Sequence, residues 1–419
     1  MPPRMGKMKD LQTLRGEYVL DKNTGGNIAE IKELEQLRET LIISGLRNIA
    51  HVRDAMEANI RKKKYLNELV LEWGGKSGDT NDPEKERDVL NNLQPHTNVK
   101  ELRIQSYGGT KFPGWLEHHC NLVRLDLVDC GNCLFLPSVE QLPSLQDLQI
   151  GVFNGEVTMD SKPCPNLRKL SLWSCPQLTG TFMLANFPKL ESLNLSDVNV
   201  ASLHSPSLAL VSLEIYSCPN FIGFTDGGLD APNLETIELQ SCWKLRSLPQ
   251  HMHNLLPSLR RLFLSDCPEL ETFPEGGLPS KLGDLYIWHC KKLGGSRMQW
   301  GLPTLTSLRF LSVDFDGCEQ VVHSFPDEGR LPTTLSTLYI YGISKLDGKG
   351  LGQLTSLKKL IICRCPQLQC LPDEGLPTSL SYLHIYQCPL LEQRCQRDTG
   401  EDWPKIAHIS TIDVDGKRI

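Results

Sequence analysis

Leu259-Arg260-Arg261-Leu262-Phe263-Leu264-Ser265-Asp266-Cys267 and, 23 residues on, Leu282-Gly283-Asp284-Leu285-Tyr286-Ile287-Trp288-His289-Cys290 spell one pattern twice. It reads Leu-x-x-Leu-x-Leu-x-x-Cys, with Leu, Ile and Val interchanging at the apolar places. Further clear copies start at Leu122, Leu167, Leu234, Leu357 and Leu380. Anchored on the middle apolar residue, the series runs Leu41, Leu69, Leu102, Leu125, Leu148, Leu170, Leu193, Leu213, Ile237, Leu262, Leu285, Leu311, Leu338, Leu360 and Leu383. The 281 residues from Leu102 to Leu383 make twelve steps of about 23 residues. Alternate side chains of a strand face opposite ways, so Leu125 and Leu127 point inward while Arg124, Asp126 and Val128 point out. One such unit cannot hide its own leucines; neighbours stacked on either side must cover them.

A period of 20–29 residues with this pattern specifies a leucine-rich repeat. The expected fold is an α/β solenoid, a horseshoe with a parallel sheet on its concave side and short helical or irregular convex segments. The cysteine ends each strand, in a slot that accepts Asn or a small, burial-tolerant thiol. Pro follows it in Cys175-Pro176, Cys218-Pro219, Cys267-Pro268, Cys365-Pro366 and Cys388-Pro389, where loss of a donor predicts a turn out of the strand. Connecting stretches such as Phe273-Pro274-Glu275-Gly276-Gly277-Leu278-Pro279 suit irregular or 3₁₀ segments. Three parts are expected: atypical repeats with longer helices over 1–100, regular repeats over 101–390, and a capping segment over 391–419. In the first part, Ile49, Val52, Met56 and Ile60 recur at helical spacing, and Pro83 to Leu93 reads as a short helix. Gly74 to Asp82 reads as a mobile surface loop.

The formal net charge of −6 argues against a nucleic-acid partner, which calls for a basic face. No apolar run approaches the roughly 18 residues of a membrane span. The polar opening Met1-Pro2-Pro3-Arg4-Met5-Gly6-Lys7 lacks the apolar core of a signal peptide. A cytoplasmic location, or a nuclear one, is therefore expected. Eight of the fifteen cysteines (Cys130, Cys175, Cys218, Cys242, Cys267, Cys290, Cys365, Cys388) occupy the repeat's own slot, which explains them without a disulfide framework.

Chemical motifs resolve the same way. Gly74-Gly75-Lys76-Ser77 imitates the end of a phosphate-binding loop, but the glycine required five places before Gly75 is Val70, inside a strand. Gly348-Lys349-Gly350-Leu351-Gly352 lies between two strands with no dinucleotide-binding unit around it and reads as a turn. Cys130-Gly131-Asn132-Cys133 and Cys363-Arg364-Cys365 have metal-like spacing, yet one cysteine of each already fills a repeat slot and zinc needs about four ligands. His118-His119 and His251-Met252-His253 lack an acidic partner at metalloprotease spacing. No nucleophile with base and orienter stands out. No enzyme activity, metal or cofactor is expected.

One feature exceeds the pattern's own demands. The twelve repeats from Leu125 on offer thirty-six outward strand positions, and ten are aromatic: Trp173, Tyr216, Phe263, Tyr286, Trp288, Phe310, Tyr339, Tyr341, Tyr382 and Tyr386. At the chain-wide 7% aromatic fraction about two or three would be expected. Strand propensity and cross-strand stacking are one explanation. The other is a concave contact patch for a protein partner, built on Trp and Tyr anchors, with Asp314 and His384 adding polarity.

Several passages carry a closer resemblance: Met1 to Lys7 with Leu11-Gln12-Thr13-Leu14, Leu41 to Leu46 (LIISGL), Asp54-Ala55-Met56-Glu57-Ala58-Asn59, Leu66 to Trp73 (LNELVLEW), and above all Leu376 to Ile409 (LPTSLSYLHIYQCPLLEQRCQRDTGEDWPKIAHI). Across essentially the whole chain the sequence resembles the repeat domain of plant intracellular nucleotide-binding leucine-rich-repeat disease-resistance proteins of the coiled-coil class. The resemblance implies pathogen recognition: sensing an effector, directly or through a guarded host protein, and holding a neighbouring nucleotide-binding domain inactive. That domain and the coiled coil are not in this sequence, so nucleotide switching is not carried over, and a fragment, truncated product or decoy is expected. A substrate receptor of a ubiquitin ligase, which also uses such repeats, is the alternative, as is a non-functional receptor fragment.

Overall fold

The computed structural model describes residues 8–14, 16–20, 27–157, 163–204, 209–225, 228–318 and 322–418. Met1–Lys7, part of the resemblance above, lie outside the described residues. The chain forms two compact units, Met1–Val200 and Ala201–Ile419.

In the first unit the ladder strands are β1 (Glu17–Val19), β2 (Arg38–Ser44), β3 (Tyr65–Glu72), β4 (Glu101–Gln105), β5 (Arg124–Val128), β6 (Asp147–Gly151) and β7 (Lys169–Met183); β8 (Ser192–His204) begins there and ends past Val200. Each of β1 to β6 pairs in parallel with the next, and from β2 on the anchor residues align: Leu41 with Leu69, Leu102, Leu125, Leu148 and Leu170. In the second unit come β9 (Ser212–Tyr216), β10 (Gly223–Phe224), β11 (Thr236–Gln240), β12 (Arg261–Ser265), β13 (Asp284–Trp288) and β14 (Phe310–Asp314). They continue with β15 (Ser324–Phe325), β16 (Thr337–Tyr341), β17 (Lys345–Leu346), β18 (Lys359–Cys363), β19 (Tyr382–Tyr386), β20 (Thr411–Val414) and β21 (Lys417–Arg418). Here Leu213 aligns with Ile237, Leu262, Leu285, Leu311, Leu338, Leu360, Leu383 and finally Ile412, all in parallel. β10 and the β15–β17 pair lie outside this ladder; β21 pairs antiparallel with β20.

Every anchor from Leu41 to Leu383 is at most 2% exposed. Burying such a side chain contributes roughly 1.5–3 kcal/mol, and each depends on its neighbours for cover. This is the leucine-rich-repeat solenoid that the spacing demands.

How the chain leaves each strand is less expected. The fourth residue past the anchor, which precedes the repeat cysteine where there is one, takes a left-handed backbone, with φ near +50°, at Ser106, Asp129, Val152, Ser174, Asp197, Ser217, Ser241, Asp266, His289, Arg364 and Gln387. The turn aims several of their N–H groups at the next strand's last carbonyl, as with Ser241 onto Ser265 and Asp266 onto Trp288. That bond offsets a strain of about 1 kcal/mol or more per residue. The cysteine that follows is fully buried, and its thiol donates to the carbonyl two residues back, as Cys267 does to Ser265 and Cys388 to Tyr386. Burial pushes the Cys175 thiol up to about 12.

The intervening segments are short. α1 (Val52–Glu57) and α2 (Pro83–Asn92, capped by Asp82) lie in the first unit; α3 (Met252–Leu255), α4 (Lys291–Gly295), α5 (Gly348–Gly352), α6 (Pro389–Arg394) and α7 (Trp403–Ile406) lie in the second. Three local expectations need correcting. Met56 is 60% exposed: six residues of helix put Ala55 inward, and Ala58 and Ile60, beyond its end, are buried too. The stretch Gly74 to Asp82 is pinned, not loose, because buried Ser77 donates to Asp129 and Arg47 donates to the Lys76 carbonyl. Cys175-Pro176 does not end its strand; β7 continues to Met183, since the proline ring fits extended backbone and removes only a donor.

Candidate functional site

Residues at outward strand positions of the second unit fall into rows set by the parallel register. The middle row is Phe263, Tyr286, Ser312, Tyr339, Ile361, His384 and Asp413, on β12, β13, β14, β16, β18, β19 and β20. One flanking row carries Arg261, Asp284, Phe310, Thr337, Lys359 and Tyr382. The other includes Trp288, Asp314, Tyr341, Cys363 and Tyr386. Strands lie about 4.8 Å apart, so flat side chains in neighbouring strands must touch.

They do. Ring centroids are 5.4 Å apart for Phe263–Tyr286, 4.7 Å for Tyr286–Phe310 and 5.2 Å for Phe310–Tyr339. Trp288 joins through Phe263 at 5.4 Å and Tyr341 at 6.3 Å. Six of the ten aromatics are thus one connected cluster. Each contact contributes about 0.5–1.5 kcal/mol, so stacking explains part of the enrichment. The rings still remain half-buried rather than sealed.

Polar groups fix the cluster's edges. The Trp288 indole N–H donates to Ser312 Oγ at 2.8 Å, orienting the ring. Asp314 is only 7% exposed, and burial raises its carboxyl above the usual range. His289 stands between two carboxylates, with Nε2 3.2 Å from Asp314 and Nδ1 3.2 Å from Asp266. Lys359 places its ammonium 5.7 Å from the Tyr339 ring centre and 4.9 Å from that of Tyr382. Burial also pushes the Tyr341 hydroxyl up to about 12.

The remaining candidates are less integrated. Tyr382 joins the cluster only through Lys359. His384 stacks on Tyr386 at 6.0 Å, and its Nδ1 lies 3.0 Å from Asp413 Oδ1 without hydrogen-bond geometry. Tyr386 is 42% exposed, the most open of the set. Tyr216 donates its hydroxyl to Glu238 at 2.6 Å, and burial together with that bond raises its own ionisation above the usual range. Trp173 belongs to the first unit, where its indole covers Gly151: a Cβ there would meet the ring at 1.9 Å.

Counting aromatics alone overlooked Lys359, Ser312 and His289. Lys359 and Ser312 were legible as outward positions by the same alternation. The near-complete burial of outward-facing Ile361 (3%) and Cys363 (7%) was not, because it depends on neighbouring strands.

Outward positions of the first unit are different in kind. A groove of about 490 Å³ is lined by Glu17, Glu68, Glu72, Glu101, Arg103 and Asp126, among others. Arg124 holds Asp126 there, 3.0 Å away. The other motifs are structural. Cys133 donates to the Gly109 carbonyl, His119 is buried against the Val99 carbonyl, and Asp347 caps α5 at Gly348 to Gly352. Among the described residues no group of His, Cys, Asp and Glu could hold a metal, and no helix is long and apolar enough to cross a membrane.

The family of R13L1/DRL21 leucine-rich repeats matches residues 28–153. A putative disease resistance protein of Solanum bulbocastanum, RGA1, is 32% identical over 97% of this chain, and another, RGA4, is 29% identical over 99%. A putative disease resistance RPP13-like protein of Arabidopsis thaliana is 30% identical over 66%. The chain spans 37% of the length of RGA1 and 38% of RGA4. A leucine-rich-repeat protein of Leptospira interrogans shares the fold, with a TM-score of 0.55 at 18% identity, over 97% of both chains.

Proposed function

Because this chain belongs with the leucine-rich-repeat regions of plant disease-resistance proteins, we propose that it is a protein-recognition surface acting in defence, with the aromatic cluster of the second unit as its contact face. The single observation that carries this is the connected patch of Phe263, Tyr286, Trp288, Phe310, Tyr339 and Tyr341 in a repeat region related to RGA1 over 97% of its length. Large, amphipathic rings held by packing lose little entropy on binding and supply most of the energy in protein interfaces.

On this reading the partner is a pathogen effector or a guarded host protein, met in the cytoplasm or nucleus. In a longer receptor the same region restrains a nucleotide-binding domain. Such a module needs no reaction chemistry of its own. The relatives described above carry disease-resistance names, and no observation favours a ubiquitin-ligase receptor.

The test is alanine at Tyr286, Trp288, Tyr339 and Tyr341, singly and together, with binding to an identified partner measured by calorimetry. At least one single change is expected to weaken binding tenfold or more. Unchanged affinity in the quadruple variant, with its circular dichroism intact, would remove the face from the proposal.

A further inference from the structure

We propose that the aromatic face of the second unit takes a basic segment of its protein partner, seating arginine or lysine side chains against the rings; this rests on the face being the contact surface. The argument starts from charge. Outward positions on β9, β11 to β14, β16 and β18 to β20 carry five acids, Glu214, Glu238, Asp284, Asp314 and Asp413, against two bases, Arg261 and Lys359.

The two bases offset only part of this charge. Arg261 pairs with Asp284, 3.7 Å away. Lys359 is directed at two phenol rings, and among the described residues no carboxylate pairs with it. Meanwhile Glu238 is held by the neutral Tyr216 hydroxyl, and Asp413 by the Gly416 N–H at 2.9 Å with the His384 ring 3.0 Å away. Such hydrogen bonds orient a carboxylate but leave its charge uncompensated. At the turns beside the face, Asp266, with the His289 ring 3.2 Å away, is balanced by Arg364 at the end of β18, so the excess of acids rests on the strand positions themselves.

The rings add to this. The face of an aromatic ring is electronegative and attracts ammonium and guanidinium groups by roughly 0.5–2 kcal/mol, more as water is excluded. Lys359 demonstrates the mode within the molecule: its ammonium sits 4.9 Å from the centre of the Tyr382 ring. A partner bearing cationic side chains would meet ring faces and carboxylates together. An acidic partner would meet like charge on both counts, and a purely apolar one would desolvate carboxylates and leave them without a counter-charge.

The test uses the whole chain as bait for a display library of random dodecapeptides, with the doubly substituted Y286A/Y339A chain as counter-selection. Selected peptides are then titrated at low and high salt against wild type and against a chain carrying E238Q, D284N and D413N, each variant first checked for an unchanged circular dichroism spectrum. The expected result is that ring-dependent peptides are enriched in Arg and Lys, and that their affinity falls tenfold or more in the charge-neutralised chain. Ring-dependent peptides that are neutral or acidic, or basic ones indifferent to the three substitutions, would overturn the charge proposal and leave the contact face standing. A selection in which nothing depends on Tyr286 and Tyr339 would overturn both.

Discussion

Asp402 lies in the most distinctive part of the tail, and the structure shows what it does there. The residue is fully buried. Its Oδ2 accepts from the Leu371 N–H at 2.9 Å and from Arg394 Nε at 3.1 Å, and its Oδ1 lies 3.0 Å from Lys405 Nζ. Lys405 also donates to the Leu371 carbonyl at 2.9 Å. One carboxylate thus ties α6 and α7 to the segment before β19. Asp402→Ala leaves a buried N–H unpaired and takes one of two carboxylate partners from each cation, since Arg394 keeps Glu401 and Lys405 keeps Asp373. Breaking such a buried pair costs about 3–5 kcal/mol; both cations here can rehydrate in part, which points to about 3 kcal/mol.

The end of a repeat array contacts only the unit before it, so this loss appears first as local opening of the tail rather than global unfolding. A 3 kcal/mol loss raises the open population by about 150-fold, at 1.4 kcal/mol per tenfold. The assay is native-state trypsin cleavage after Arg394 and Arg397, with hydrogen exchange at the Leu371 amide. Both are expected to accelerate by about 100-fold where reclosing outpaces cleavage. Asp402→Asn, which keeps an acceptor for Leu371, is expected to lie between. Burial acts to raise the Asp402 carboxyl, but the bonds from Arg394, Leu371 and Lys405 outweigh it and hold the pKa below the usual value. Its contribution is therefore present above the unfolded pKa near 4 and lost as pH falls through the folded one. Cleavage and exchange in Asp402→Ala within threefold of wild type would refute this account of the tail.

Two further predictions concern single residues. Lys63 is fully buried with its ammonium 2.6 Å from the Ile31 carbonyl, and burial lowers its pKa to about 8. Because the unfolded chain keeps that proton up to about 10.4, stability rises with pH from about 8 upward. Urea denaturation at pH 7.5 and 10 is expected to show wild type gaining up to about 3 kcal/mol relative to Lys63→Met; no gain would show that the buried amine keeps its proton as firmly as the unfolded chain does. Gly342 holds the left-handed exit turn at φ +68°, but a Cβ there would lie 2.5 Å from the Asp316 nitrogen. Gly342→Ala is expected to cost about 2 kcal/mol or more, read as a lowered Tm, while Ser241→Ala at the equivalent turn stays within about 0.5 kcal/mol; equal effects would sink the steric argument.

The ladder was legible residue by residue. The anchors named from Leu41 to Leu170 and from Leu213 to Leu383 are the residues that align across the strands, because a period-two strand with one buried face has a single register that hides its leucines. The short helix read from Pro83 to Leu93 is present over Pro83–Asn92, and the structure adds its cap, Asp82. Local pattern failed at Met56, where a helix of one and a half turns rotated the apolar stripe away from its expected face. It failed also at Gly74 to Asp82, which looked loose only because Asp129 and Arg47, its partners, are far off in sequence.

For the aromatic positions, alternation alone determined which side chains leave the core, and composition showed that too many of them are rings. Which rings form one cluster was decided by the tertiary structure. Register put Tyr286 beside Phe263 and within reach of Phe310, while Trp173 was spent on covering Gly151 in the first unit. Lys359 is a surface charge in the sequence and becomes part of the aromatic face only when β16 and β19 flank β18. A strand's own residues set which way each side chain points; what it meets there is set by strands some two dozen residues away in either direction.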